Sequence, residues 1–351
     1  MKIAGVSSAF PKYHYSQEVL AAAAAEYWRE RVEHPELIQR LFARCGVEAR
    51  FLTLPMEEYP KLGSWGEAND HWIETAEELG YQSLCRALAR AGLSTNDLGA
   101  LLFTSVTGIC SPSIDARLIN RMDLPKNIRR VPMFGLGCVA GAAGIARAAD
   151  YVRAYPDQVA AIVAVELCSL TIQRDDLSMA NLISTGLFGD GGATVLVAGA
   201  NRADSVSGPV ILDTRSVFYP NTEYVMGWDI SEKGFQIVLS KEVPEMVRRH
   251  LADDVDAFLA DNDLDRGDIG SYVIHTGGPA VLEATQESLK LPKGALDASW
   301  HCLSKTGNLS SASVLCVLEE TMLRRRPAPG TLGLMAAMGP GFCSELLLLR
   351  W

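Results

Sequence analysis

The sequence predicts an α/β fold, with central sheets covered by helices and the chain divided into two similar halves. Three observations carry this. Short apolar runs alternate with helical patterns along the whole length. One segment recurs at a fixed offset. The composition, 48% hydrophobic and 21% charged over 351 residues, is that of a globular protein able to bury a substantial core.

Taken in chain order, residues 100–106 form the first apolar run, and the turn Leu93-Ser-Thr-Asn-Asp97-Leu98-Gly99 precedes it. Residues 139–154 read as a helix rich in Ala and Gly, able to pass close to its neighbours. Residues 158–165 and 193–198 read as buried strands. The turn then returns as Leu264-Asp-Arg-Gly-Asp268-Ile269-Gly270, followed by the apolar run 271–275. Leu93 and Leu264, Asp97 and Asp268, and Gly99 and Gly270 each stand 171 residues apart. A second helix is expected over 310–323 and two last strands over 331–335 and 344–349.

The formal charge of −10 and a pI near 5.2 argue against a nucleic-acid partner, which would need a local basic patch. No stretch has the length and apolarity of a transmembrane segment, and neither end carries a signal pattern, so the expectation is a soluble cytoplasmic protein. The eight cysteines show no Cys-x-x-Cys pair, which points to neither a disulfide framework nor a zinc site.

Cys138 stands apart from the other seven. In Gly135-Leu-Gly-Cys138-Val-Ala-Gly-Ala-Ala-Gly144 it sits among small residues at an expected helix start. Unsatisfied N–H groups and the helix dipole there favour a thiolate, and the small neighbours leave room for a thioester and an oxyanion. A packed structural cysteine among helix-packing glycines fits the same pattern. The 171-residue offset carries Thr104, at a strand end, onto His275, and carries Cys138 to position 309, beside Asn308. His275 ends an apolar run before Thr-Gly-Gly-Pro, where α/β folds place ligands. Asn308 reads either as a helix cap or as an amide donor to a carbonyl. Halves related by a pseudo-twofold axis would bring the three together.

Gly-Cys138-Val-Ala-Gly, Val-Ile-His275-Thr-Gly-Gly-Pro-Ala and Gly-Asn308-Leu-Ser-Ser-Ala-Ser-Val-Leu, with Leu187-Phe-Gly-Asp-Gly-Gly-Ala and Met338-Gly-Pro-Gly341, resemble the type III polyketide synthases, the chalcone synthase-like family. The match runs over nearly the whole chain, in order. The resemblance implies a thiolase-like fold of two duplicated βαβαβ-type halves layered αβαβα, with residues 1–200 carrying the nucleophile and 201–351 carrying His275 and Asn308. It also implies a homodimer and a Cys-His-Asn triad that loads an acyl group from coenzyme A, decarboxylates malonyl-CoA and condenses the two, with no metal, nicotinamide or flavin.

Further site residues follow from the resemblance. Phe188 matches a gate phenylalanine, and Ile237 stands where a second gate phenylalanine is usual. Cys168, Thr171, Val106 and Thr107 match cavity-wall positions, and Met338, Gly339, Pro340 and Gly341 form the family's loop. Arg40, Arg44 and Arg50 fall where the family binds coenzyme A phosphates, although solvated helix charges would look the same. The segment Tyr224-Val-Met-Gly227-Trp-Asp-Ile is similar to bacterial alkylpyrone and alkylresorcinol synthases, with Gly227 leaving space on the cavity floor. The expected substrates are therefore malonyl-CoA and a medium or long acyl-CoA. A malonyl-only starter leading to tetrahydroxynaphthalene stays open, as do a fatty-acid-initiating ketoacyl synthase, a cysteine hydrolase or acyltransferase on the same triad, and a non-catalytic scaffold.

Overall fold

The computed structural model describes all residues, Met1–Trp351. In chain order the strands are β1 (Lys2–Ala9), β2 (Tyr13–Ser16), β3 (Ala49–Leu52), β4 (Leu98–Thr104), β5 (Arg129–Met133), β6 (Val159–Leu167), β7 (Asp190–Ala198), β8 (Val210–Phe218), β9 (Met226–Ser231), β10 (Gly234–Leu239), β11 (Ile269–Ile274), β12 (Leu332–Gly339) and β13 (Cys343–Arg350). The helices are α1 (Gln17–Tyr27), α2 (Pro35–Ala43), α3 (Trp65–Ala91), α4 (Ile114–Met122), α5 (Ala140–Ala154), α6 (Met179–Leu187), α7 (Val243–Ala260), α8 (Pro279–Leu289), α9 (Asp297–Thr306) and α10 (Ser313–Arg324). Every run read from the sequence as strand or helix is one, with ends displaced by a few residues. No helix is long and apolar enough to cross a membrane.

Nine strands hydrogen-bond in the order β11-β12-β13-β8-β1-β7-β6-β4-β5. The order mirrors itself about the β8–β1 contact, where Lys2 faces Val210. On each side of that joint two antiparallel pairings lead outward to a parallel one, β12 with β11 and β6 with β4. β6 and β7 are buried along their whole length, so near-continuous apolar runs were their only available sequence.

The layering follows from which helices touch which strands. α3 covers β1, β6 and β7 from outside, and α7 with α8 packs on the far side of the second half. α5 lies between the halves, against β4, β6 and β7 of one and β8, β12 and β13 of the other, with α10 beside it. A helix with sheet on two sides must be buried nearly all round. Accordingly ten of the fifteen residues of α5 are buried, and eight of those ten are Ala or Gly. At Gly141 a Cβ would lie 2.2 Å from the Ser311 carbonyl, so only glycine lets the start of α5 touch the start of α10.

The repeat is visible locally. Ser94–Asp97 and Asp265–Asp268 are both capping boxes on single 3₁₀ turns, and each runs directly into a strand, β4 and β11. Leu98 and Ile269 keep the 171-residue offset, but the helix starts do not: the 3₁₀ turn Gly137–Val139 corresponds to Ser310–Ala312, 173 residues on. The structural counterpart of Cys138 is therefore Ser311, not the Leu309 that the constant offset indicates. Two extra residues between β11 and α10 account for the drift.

Candidate active site

Cys138 is the middle residue of the 3₁₀ turn that leads into α5, and it is buried. Its Sγ donates to Ser310 Oγ at 3.7 Å. Besides Gly141 against Ser311, a Cβ on Gly137 would lie 2.8 Å from the Pro340 ring, and one on Gly339 would lie 2.6 Å from the Val139 nitrogen. The glycines let Pro340 and Ser311 approach the backbone on either side of the cysteine.

His275 follows β11 directly, and its backbone N–H extends the parallel pairing by donating to the Ala336 carbonyl at 3.0 Å. The same strand, β12, carries Gly339 under the Cys138 turn, so cysteine and histidine border one strand end. The imidazole is buried, and its Nδ1 has no partner. Asn308 satisfies both readings of its sequence position. Its Oδ1 accepts from Ser310 N at 2.8 Å and from Ser313 Oγ at 3.2 Å, which caps the second 3₁₀ turn. With the oxygen so committed, the amide nitrogen is the end left for a ligand. Its backbone is locked to the segment around Phe188: Asn308 N donates to Leu187 O at 2.9 Å and Gly189 N donates to Asn308 O at 3.0 Å, on either side of Phe188.

The electrostatics correct one expectation. Burial pushes the Cys138 thiol up to about 12, against the lowering effect of Ser310 and Asn308, and Glu166 pushes it in the same direction as burial. Burial likewise pulls His275 down to about 4. In the unliganded site burial thus favours the thiol and the neutral imidazole, opposing the pull of the helix start toward thiolate.

Glu166 went unnoticed in the sequence. It ends β6 with its side chain fully buried, and burial raises its pKa. It accepts from Ser105 Oγ at 3.1 Å, Val106 N at 3.1 Å and Thr107 Oγ1 at 2.9 Å in the first half, and from Ser311 Oγ in the second. A lone acid in the otherwise apolar run 159–167 was the available signal, because a buried carboxyl needs several donors around it.

The neighbouring cavity has a volume of about 470 Å³. Cys168, Thr171, Phe188 and Ile237 line it, where the resemblance put them, and it extends to Leu20, Ala24 and Trp28 on and just beyond α1. Three expectations change. Thr107 and Val106 are not in its walls: the Thr107 hydroxyl is consumed by Glu166, Leu167 N and Trp72 Nε1. Gly227 has open space beside it, as expected, with nothing within 4 Å of an added Cβ, but strand alternation makes the next residue, Trp228, the one that lines this cavity. Arg50 is not at a solvent mouth: it is 3% exposed, with its guanidinium bonded to Gln17 Oε1, Thr185 O and Phe188 O. Arg40 and Arg44 are exposed on α2 and at its end. Met338 borders a cavity of about 30 Å³ beside His275, and Pro340 closes the Cys138 turn from the β12 end.

A buried cysteine at a helix start, with an asparagine beside it and a histidine at a strand end of the mirrored half, is the arrangement of a thiolase-fold acyltransferase. The chain belongs to the type III polyketide synthases of the chalcone and stilbene synthase family. The profile of the chalcone and stilbene synthase C-terminal domain matches residues 211–351, and that of the FAE1/type III polyketide synthase-like proteins matches residues 13–209. The chain is 47% identical over 350 residues to a 1,3,6,8-tetrahydroxynaphthalene synthase of Streptomyces peucetius, covering 99% of this chain and 93% of that one. It is 34% identical to a putative chalcone synthase of Bacillus subtilis, over 99% and 98% of the two chains. The crystal structure of the 1,3,6,8-tetrahydroxynaphthalene synthase of Streptomyces coelicolor superposes with a TM-score of 0.94 at 31% identity, covering 100% of this chain and 99% of that one. The enzyme is thus an acyltransferase that performs decarboxylative Claisen condensation.

Proposed function

We propose that malonyl-CoA is both starter and extender and that the product is a polyhydroxylated naphthalene of the tetrahydroxynaphthalene type. The 47% identity over almost the whole chain to an enzyme of that name is the observation that carries this reading. In the proposed sequence His275 takes the Cys138 proton as Sγ attacks the starter thioester; the bond to the coenzyme A sulfur breaks, and the proton leaves with that sulfur. The thioester oxygen of the next malonyl-CoA accepts hydrogen bonds from the Asn308 amide and the His275 imidazole. Carbon dioxide departs, the C–C bonding electrons become an enolate, and its carbon displaces Cys138 from the acyl group. Coenzyme A thioesters and protein side chains supply all the groups, with no further cofactor. Arg40 and Arg44 attract the coenzyme A phosphates.

A second reading, priming by a medium or long acyl-CoA toward an alkylpyrone or alkylresorcinol, is favoured by one feature: the cavity beyond Phe188 is walled mainly by hydrophobic side chains as far as Trp28. Mass spectrometry of products separates the two. Malonyl-CoA alone should give the naphthalene, lost in Cys138→Ala; products that appear only with an acyl-CoA, and lengthen with it, would install the second reading. The acting unit is proposed to be a homodimer joined along β5, an edge strand on which Val131, with Phe134 just after it, is exposed. Sedimentation equilibrium tests it, and a monomer at assay concentration would refute it.

A further inference from the structure

A buried cation is costly unless its surroundings require it, and Arg50 is fully buried with neutral hydrogen-bond partners only. Two of those partners are carbonyls at the end of α6, and the third is Gln17 at the start of α1. Arg50 Nη1 donates to Thr185 O at 2.7 Å and also to Phe188 O. Gln17, which accepts from Arg50 Nε at 3.1 Å, donates through Nε2 to Gly186 O at 2.7 Å and to Phe42 O. Two side chains from outside the helix thereby satisfy the orphan carbonyls of Thr185, Gly186 and Phe188 at its C-terminal end. Burial lowers the Arg50 pKa to about 10, which leaves the guanidinium charged at neutral pH.

The stem of Arg50 meets the other side of the site. A Cβ on Gly307 would lie 2.9 Å from Arg50 Cδ and 2.7 Å from Leu187 O, so Gly307 is pressed between the arginine and the gate segment. Gly307 immediately precedes Asn308, and Asn308 is hydrogen-bonded to both neighbours of Phe188. One side chain therefore touches both strands of the short bridge that carries the gate aromatic and the amide donor.

We propose that Arg50 is a positioning residue for the condensation: by fixing Phe188 O and packing on Gly307, it sets the direction in which Asn308 presents its amide to the malonyl thioester. The proposal rests on the reading of Asn308 as oxyanion donor. It assigns to Arg50 a role in decarboxylation and none in the acidity or accessibility of Cys138. Lys cannot reproduce it, because a single ammonium lacks the planar fork that reaches Phe188 O, Thr185 O and Gln17 together.

The test compares Arg50→Lys, Arg50→Ala and Asn308→Ala for carbon dioxide release from malonyl-CoA, for iodoacetamide alkylation of Cys138, and for thermal midpoint. Asn308→Ala should lose about 10²–10³-fold in decarboxylation. Arg50→Lys should lose about tenfold in kcat with KM little changed, because a displaced but present donor is a smaller loss than an absent one. Its alkylation rate should stay within about twofold of the parent. Arg50 borders the cavity, so millimolar guanidinium ion should partly restore Arg50→Ala, and ammonium ion should not. Should Arg50→Ala fail to fold, Gln17→Leu, which removes the second capping side chain, should show the Arg50→Lys pattern more weakly. Wild-type decarboxylation in Arg50→Lys beside an inactive Asn308→Ala overturns the proposal. Parallel loss of decarboxylation, alkylation and thermal midpoint overturns it too, by reducing Arg50 to a structural cap. Full decarboxylation in Asn308→Ala overturns the reading of the site itself and the proposal with it.

Discussion

The two halves of the molecule offer the same two places, four in all, and use them differently. Each half has a strand end, Thr104 after β4's apolar run and His275 after β11's, and each has a 3₁₀ turn leading into a helix, with Cys138 in one and Ser311 in the other. Ser311 is spent: its hydroxyl donates to the buried Glu166. Cys138 has no charged partner on its sulfur, only the distant Ser310 hydroxyl and the side chain of Asn308. At the strand ends both Thr104 Oγ1 and His275 Nδ1 are buried without partners, yet only the imidazole can act as a base. The duplication explains why each half supplies a strand end and a helix start; in the proposed reaction the thiol and the imidazole act, and their mirror positions do not.

Moving the thiol across the axis challenges this division of labour most severely. In the double variant Cys138→Ala, Ser311→Cys, a thiol occupies the mirror position, but it faces Glu166 instead of Asn308. Product formation should fall by at least about 10³-fold, as in Cys138→Ala alone. Restored turnover in the double variant would mean that the two helix starts are equivalent.

The two strand ends differ in how they respond to acid. His275 is held at about 4 by burial, against 6.5 in an unfolded chain, so between those values the unfolded state binds the extra proton. Its contribution is complete above pH 6.5 and is lost as the pH falls toward 4, amounting to roughly 3 kcal/mol. Urea unfolding at pH 7.5 and 4.5 should therefore show a smaller drop in stability for His275→Gln than for the parent. Equal drops would place the acid sensitivity elsewhere.

Much of this arrangement is legible in the sequence. The repeated Asp-Leu-Gly and Asp-Ile-Gly turns reveal the halves because a capping box preceding a strand is a local structure, written in adjacent residues. Cys138, His275 and Asn308 are legible for a related reason, each standing at an element boundary marked by glycines. What stays hidden depends on distant pairing. The two-residue drift that makes Ser311 the partner of Cys138 arises between β11 and α10, where no motif repeats. Arg50 reads as one more basic residue in a charged stretch, and only the tertiary meeting of its guanidinium with the carbonyls of Thr185 and Phe188 at the end of α6 turns it inward. Thr107 and Gly227 fail for a simpler cause, since both lie one residue or one hydrogen bond away from the cavity, a distinction that alternation in a strand decides and similarity does not.

The meeting of the helix starts should tolerate little change. Gly141→Ala adds a methyl group 2.2 Å from the Ser311 carbonyl and 2.8 Å from Val314 Cγ1, so the two helix starts must separate. Overpacking of this kind costs about 1–3 kcal/mol, and the displacement should lower turnover as well, since it moves the Cys138 turn away from Asn308. Calorimetry with a product assay checks both. An unchanged midpoint would show that the close approach of α5 and α10 is not required.

The smallest effect has the opposite sign. Thr104 occupies the strand end that mirrors His275, and its hydroxyl is buried without a partner, so it bears a desolvation cost with no bond in return. Thr104→Val removes that hydroxyl at nearly constant volume and should raise stability by about 1 kcal/mol or less, with turnover changed less than about twofold. His275 has an equally unpartnered nitrogen, and there the same removal should abolish turnover. If Thr104→Val instead impairs catalysis, the first-half strand end takes part in the chemistry and the division of labour between the halves is not the one described.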